Sequence, residues 1–387
     1  MKIVHTSDWH LGRRFKGISR DEEHRAVLDH LAAYIEAERV DLVLHTGDVF
    51  DVRSPPPEAE RLANEFFVRV RRAGARSIVI AGNHDDPRRF DARAELSSYA
   101  GITLLGRPRL GEDGGALTLT LGSGEVAVVA ALPFVTPGSW VGAEDLVENE
   151  ASGYGKYARL FQAAARELGT HFRADAVNLF MAHTFLHGAV FGESERRVHV
   201  GSEWAALAEA LPPASYVALG HIHKPQQAPG LGTAHYAGSS LQLDFGEVGQ
   251  EKSFVVVRAE PGAPAHIERV PYQGGLPLMD FRGTLTELAD RASELGQGCW
   301  LRVTLTLREP EVDLTQKVRA LVKNALVVRA ELPRRVEVAA PRPAKGATPR
   351  EYYAAYHLRA QGQVPSPELL ATFDELHQAA EAGRDDV

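Results

Sequence analysis

Five short polar motifs, each at or just behind the end of an apolar, strand-like run, constrain this chain more than any other feature. They are Asp8-Trp9-His10, Gly47-Asp48-Val49-Phe50-Asp51, Gly82-Asn83-His84-Asp85, Ala182-His183 and Gly220-His221-Ile222-His223. The runs that lead into them, Lys2 to Thr6, Val40 to Thr46, Arg76 to Ala81, Ala176 to His183 and Tyr216 to Gly220, read as strands. Between the first three lie helical stretches. Asp21 to Arg39 sets Val27, Leu31 and Ile35 on one face, and Glu58 to Arg72 follows the start signal Pro55-Pro56-Pro57. Alternation of this kind argues for an α/β architecture built from βαβ units, in which ligands bind in loops at the carboxyl ends of strands. A hairpin around Gly122-Ser123-Gly124, a helix from Tyr154 to Leu168, and strands at Thr233 to Ala237 and Lys252 to Ala259 complete the expected two-sheet α/β sandwich over residues 1–273.

The side chains in these motifs are carboxylate, imidazole and amide, with no sulfur. That set suits a borderline-hard divalent cation rather than an all-oxygen calcium cage. Seven candidate ligands, Asp8, His10, Asp48, Asn83, His183, His221 and His223, exceed what one catalytic ion needs, and two ions sharing a carboxylate would use them all. In an extended segment residues two apart share a side, so Asp8 with His10, and His221 with His223, are expected to enter one pocket as pairs. Two divalent ions bring four positive charges against two from Asp8 and Asp48. The site would therefore remain cationic in a chain of net charge −8 and could seat a phosphodiester.

That net charge argues against a broadly basic nucleic-acid surface. The charge is uneven, however. Residues 301–350 hold 11 Lys/Arg against 5 Asp/Glu, and residues 351–387 hold 2 against 7. With Cys299 as its one cysteine, the chain can form neither an internal disulfide nor a thiolate cluster. No signal-peptide pattern precedes the first strand and no apolar run reaches membrane-span length, so a cytoplasmic location is expected. A second, α+β unit of alternating strands and helices is expected at 274–340, a Pro- and Gly-marked linker at 341–349, and two amphipathic helices at 350–387.

The motif order resembles the calcineurin-like metallophosphoesterase superfamily. Thr6-Ser7-Asp8-Trp9-His10-Leu11-Gly12 and Gly47-Asp48-Val49-Phe50-Asp51 further resemble the SbcD-type DNA nuclease subunits. The resemblance implies one cation on Asp8, His10, Asp48 and His223 and another on Asp48, Asn83, His183 and His221, with manganese the usual metal. It implies that His84 acts at the scissile phosphate as a catalytic residue, and an Asp51–His84 dyad is expected in which the Asp51 carboxylate orients the imidazole. It implies a 3′-to-5′ exonuclease with single-strand endonuclease activity, a 274–340 unit capping the DNA, and an SbcC-type coiled-coil ATPase held by residues 350–387. A homodimer through phosphoesterase-domain helices is also implied, for which Leu62, Phe66, Phe67 and Val70 offer apolar surface. Arg13, Arg14 and Arg53, just behind ligand loops, are candidate DNA-phosphate contacts. His187, His199, His171 and His235 are read as ordinary surface or core histidines. Two rival readings remain: another phosphodiesterase or protein phosphatase of the superfamily, against which the absence of Arg-Gly after Asp51 speaks, and a binding scaffold with a decayed metal site.

Overall fold

The computed structural model describes residues 1–122, 124–136, 150–192, 194–195, 205–332, 343 and 346–382, with backbone alone at 150–155 and 382. Two six-stranded sheets form the body. The first has the order β14-β13-β1-β4-β5-β6, with β1 Lys2–Thr6, β4 Leu42–His45, β5 Arg76–Ile80, β6 Ile102–Leu105, β13 Ser253–Arg258 and β14 His266–Pro271. Strands β1, β4, β5 and β6 run parallel, and β13 pairs antiparallel on β1. The second has the order β11-β12-β10-β9-β8-β7, from Gln226–Gln227, Ala234–Tyr236, Tyr216–Gly220, Val177–His183, Val126–Leu132 and Ala116–Thr120 respectively. Here β8, β9, β10 and β12 are parallel, and β7 closes the predicted hairpin on β8. A short hairpin, β2 Arg14–Phe15 with β3 Ile18–Ser19, follows the first motif.

The period-two alternation of the strands builds the layers. Ile3, Leu42, Leu44, Ile78 and Ile80 face Val129, Val177, Leu179, Met181 and Ala218 between the sheets. Their neighbours Val4, Val43 and Val79 point the other way, onto helix α1 (Asp21–Glu38) and helix α2 (Pro57–Arg72). On the far side Phe180, Ala182, Val217 and Leu219 pack under Phe161, Ala165 and Leu168 of the helix Glu150–Gly169. Leu62, Phe66, Phe67 and Val70 of α2 are all buried in the core between the first sheet and its helices. The α2 side chains expected to be available to a second copy are thus engaged within the chain itself.

Helix α3 (Pro87–Tyr99) has no counterpart in the sequence reading. It buries only Phe90, so it carries no apolar stripe, and its start is set by Asp86, whose side chain accepts from Arg88 N at 2.9 Å. Beyond Gly274, whose positive φ and close approach to Ala26 leave no room for a Cβ, the chain enters a three-stranded parallel sheet β15-β16-β17 (Leu278–Gly283, Trp300–Thr306, Ala325–Glu331). Helices Leu285–Asp290, Ala292–Leu295 and Leu314–Leu321 cover one of its faces through Leu288, Leu295 and Val318. Residues 333–342, 344, 345 and 383–387 lie outside the described residues. Helices Pro349–Gln361 and Pro367–Ala382 pack on each other through stacked Tyr353 and Phe373 rings 4.3 Å apart. No residue of the first is buried.

Candidate metal centre

Parallel strands bring their carboxyl ends to one edge, and here both sheets turn that edge toward the same pocket. Adjacent β1, β4 and β5 present Asp8 and His10, Asp48, and Asn83 and His84; adjacent β9 and β10 present His183, and His221 and His223. The loops behind β1 and β4 continue to pair beyond the strands, with Asp8 N on Gly47 O at 3.0 Å and His10 N on Asp48 O at 3.1 Å. Trp9, between the two ligands of its motif, is fully buried against His45, Phe66 and Phe67 and pins the loop to α2.

The backbone reaches this arrangement by a route the spacing argument did not foresee. Asp8, His10 and Asp48 have φ of 50°, 51° and 54°, and His221 has 96°. These four are among only seven non-glycine residues with positive φ in the described chain. The paired ligands converge through left-handed turns rather than extended backbone, at a conformational cost of about 1–3 kcal/mol each. Such strain persists where surrounding contacts impose it, and it gathers at functional sites.

The side-chain atoms meet at ligand-to-ligand distances. His10 Nε2 lies 3.1 Å from His223 Nε2, and Asn83 Oδ1 lies 2.9 Å from both His183 Nε2 and His221 Nδ1. Asp48 Oδ2 is 3.6 Å from His10 Nε2 and 3.6 Å from His183 Nε2, midway between the two groups. Asp8 belongs to both, with His10 and His223 on one side and Asp48 and His183 on the other. The far ring nitrogens fix the tautomers. His183 Nδ1 donates to Thr46 O at 2.7 Å and His10 Nδ1 to Asp51 Oδ1 at 3.2 Å, which leaves each Nε2 lone pair facing the pocket.

Burial holds the imidazoles neutral. Desolvation pushes His10, His183 and His223 well below the usual range, and His221 down to about 4. The same desolvation pushes Asp8 and Asp48 well up, and repulsion from the nearby Asp85 carboxylate adds to it. Neutral imidazoles around buried carboxylates form a donor set that divalent cations complete.

Asp51 requires a correction. The bond that reaches His84 Nδ1 comes from the Asp51 main-chain carbonyl at 2.7 Å, whereas the carboxylate is taken by His10 Nδ1 and by Arg13 Nη1 at 3.0 Å. Burial pushes that carboxyl up, but bonds from His10 and Arg13 outweigh it and hold the group below the ordinary carboxylate range. Asp51 thus steadies a candidate ligand through its side chain and His84 through its backbone. His84 stands within ligand reach of His10 and Asp48, and its ring meets His10 edge-on at 4.6 Å. Arg13 is half-buried on Asp51, while Arg14 and Arg53 are exposed. His187 is exposed, and His199 lies outside the described residues.

Other contributors carried no role in the sequence reading. Buried Asp85 accepts from Gly82 N at 2.9 Å, Phe50 N at 3.1 Å and Val49 N at 3.3 Å, lacing the second motif to the third. Gly82 lies so close to Asp48 that any Cβ would fall on its carboxylate. Ser194, Glu195, Glu247 and Lys252 surround His223 from distant loops that have no periodicity to mark them.

A two-sheet α/β sandwich that gathers imidazoles, carboxylates and a carboxamide at facing strand ends has the architecture of a metallophosphoesterase. Residues 1–225 match the calcineurin-like phosphoesterase family, and residues 275–352 match the SbcD_C domain, described as the type 5 capsule protein repressor C-terminal domain. The SbcD subunit of the SbcCD nuclease of Bacillus subtilis (strain 168) is 34% identical over 316 residues, covering 80% of this chain and 80% of its own. The corresponding SbcD proteins of Escherichia coli (strain K12) and Rhodobacter capsulatus are 30% and 33% identical, covering 88% and 84% of each chain. The chain belongs to the calcineurin-like phosphoesterase family, in its SbcD branch of SbcCD nuclease subunits, and is a metal-dependent phosphoester hydrolase. Among the described residues no helix is long and apolar enough to cross a membrane.

Proposed function

We propose that this chain is the nuclease subunit of an SbcCD-type complex, hydrolysing DNA phosphodiesters with two manganese ions. In this reading it is a 3′-to-5′ exonuclease on duplex DNA and an endonuclease on single strands, in the cytoplasm. The observation that carries it is Asp48 Oδ2, equidistant at 3.6 Å from His10 Nε2 and His183 Nε2. One cation would rest on Asp8, His10, Asp48 and His223, the other on Asp48, Asn83, His183 and His221. When bound, the pair supplies positive charge against both the attacking and the leaving oxygen of a phosphoryl displacement. His84 donates Nδ1–H to the Asp51 carbonyl, which makes Nε2 the ring nitrogen that stabilises charge or exchanges a proton at the leaving oxygen. Arg14 and Arg53, exposed behind ligand loops, contact backbone phosphates, and residues 274–340 cap the DNA.

The helical arm at 350–387 grips the coiled-coil ATPase, supported by exposed Tyr352, Tyr356 and Leu376. A homodimer is proposed as well, now on the exposed Val68 of α2 and Leu96 and Tyr99 of α3 rather than on the buried α2 residues. The protein-phosphatase alternative gives no role to the capping unit or the arm.

The test is hydrolysis of duplex DNA against a phosphomonoester, with and without manganese, for the wild type and His84→Gln. Manganese-dependent DNA degradation that far exceeds monoester cleavage is expected, and the reverse preference would refute the nuclease assignment. His84→Gln is expected to lose about a hundredfold to ten-thousandfold in turnover with metal content unchanged. Metal lost together with activity would make His84 a ligand instead.

A further inference from the structure

A ligating histidine ordinarily leans on one partner at its far ring nitrogen. His223 is held at every polar atom that does not face the pocket. Its main-chain N donates to Glu195 Oε1 at 2.7 Å, and its carbonyl accepts from Lys252 Nζ at 2.8 Å. Its Nδ1 contacts the Ser194 hydroxyl, which in turn contacts Glu247 Oε1. Glu247 is completely buried, and its second oxygen is fixed by Lys252 Nζ at 2.8 Å and Leu243 N at 2.9 Å. A carboxylate anchored in this way accepts the serine proton, so the serine oxygen accepts Nδ1–H. Only the tautomer with its Nε2 lone pair toward His10 satisfies the chain of bonds.

Glu247 ends a single 3₁₀ turn, Phe245–Glu247, and the turn's first residue belongs to a different contact. The Phe245 ring packs with Phe15 and Leu278, and Arg302 of the capping sheet lies 5.1 Å above it. Gln242 links the end of this turn to the capping sheet, accepting from Leu278 N at 2.6 Å and donating to Glu247 O at 3.0 Å. A single residue, Gly246, therefore separates Phe245, in the seat of the capping unit, from Glu247, the carboxylate behind a metal ligand.

We infer that Glu247, acting through the Ser194 hydroxyl, is a positioning residue for the cation on His223, and that its turn couples the occupancy of that position to the seating of the 274–340 unit. The inference rests on the two-cation reading of the site. It makes one of the two positions selectively sensitive to changes at the capping interface, while the position on Asn83, His183 and His221 has its own supports.

The experiment is a Mn²⁺ titration of the full-length, metal-free protein by calorimetry, with electron paramagnetic resonance to detect an exchange-coupled pair. Wild type should bind two ions. Glu247→Gln should keep one at wild-type affinity, weaken the other about tenfold to a hundredfold, and lose the coupled signal at concentrations that saturate wild type. Ser194→Ala, at a partly exposed position, should act in the same direction and carries the test if Glu247→Gln does not fold. Phe245→Ala should weaken the same position by about twofold to thirtyfold. Wild-type binding by both Glu247→Gln and Ser194→Ala, or equal weakening of both positions, would overturn the positioning role. An unaffected Phe245→Ala would overturn the coupling. Fewer than two ions on the wild type would instead refute the two-cation reading beneath it.

Discussion

Replacing Asp48 with Asn is expected to lower phosphodiester turnover about a thousandfold, equivalent to about 4 kcal/mol of barrier, and to reduce bound metal from two ions to one or none. Asparagine keeps the shape of the side chain, so the fold has little reason to change. Asp48 Oδ1 accepts from His84 N at 2.8 Å, and an amide oxygen can still serve there. What disappears is the negative charge at Oδ2, which lies 3.6 Å from both His10 Nε2 and His183 Nε2. An amide nitrogen in its place would turn protons toward two cations. Metal content by mass spectrometry and turnover on a small phosphodiester check the expectation together. Two bound ions with near wild-type turnover would show that Asp48 does not bridge.

Deleting residues 350–387 is expected to abolish co-purification with a co-expressed SbcC-type ATPase while leaving metal-dependent cleavage of a small phosphodiester unchanged. The helix Pro349–Gln361 buries none of its residues, and its start is set locally by a reciprocal Thr348–Glu351 cap. The two arm helices hold each other through the Tyr353–Phe373 stack and the Arg350–Asp374 ion pair. That leaves Tyr352, Tyr356, Leu369 and Leu376 exposed on a segment whose remaining surface is acidic, the form of a helix-in-groove ligand. The core does not depend on them, so catalysis should survive the truncation. Retained co-purification would move the partner's binding site elsewhere.

The site was legible in the sequence where topology carried the information. Ligands behind β1, β4, β5, β9 and β10 converge because parallel strands deliver their carboxyl ends to one edge, and apolar runs reveal strands directly. Conformation at the ligands was not legible. Nothing in Asp8, His10, Asp48 or His221 announces a left-handed backbone, which the surrounding loops impose. The family resemblance likewise placed Asp51 beside His84 but could not tell its carbonyl from its carboxylate. Helix α3 escaped notice because a single buried phenylalanine leaves no periodicity, and β14 because its residues are half-buried or exposed. Glu247 and Ser194 reach His223 from distant parts of the sequence, a tertiary pairing with no local trace.

Anomalous diffraction at the manganese edge, from crystals grown with the metal, addresses the central claim most directly. Two peaks about 3.5–4 Å apart are expected, with the Asp48 carboxylate between them. A single peak, or two that do not share that side chain, would contradict it.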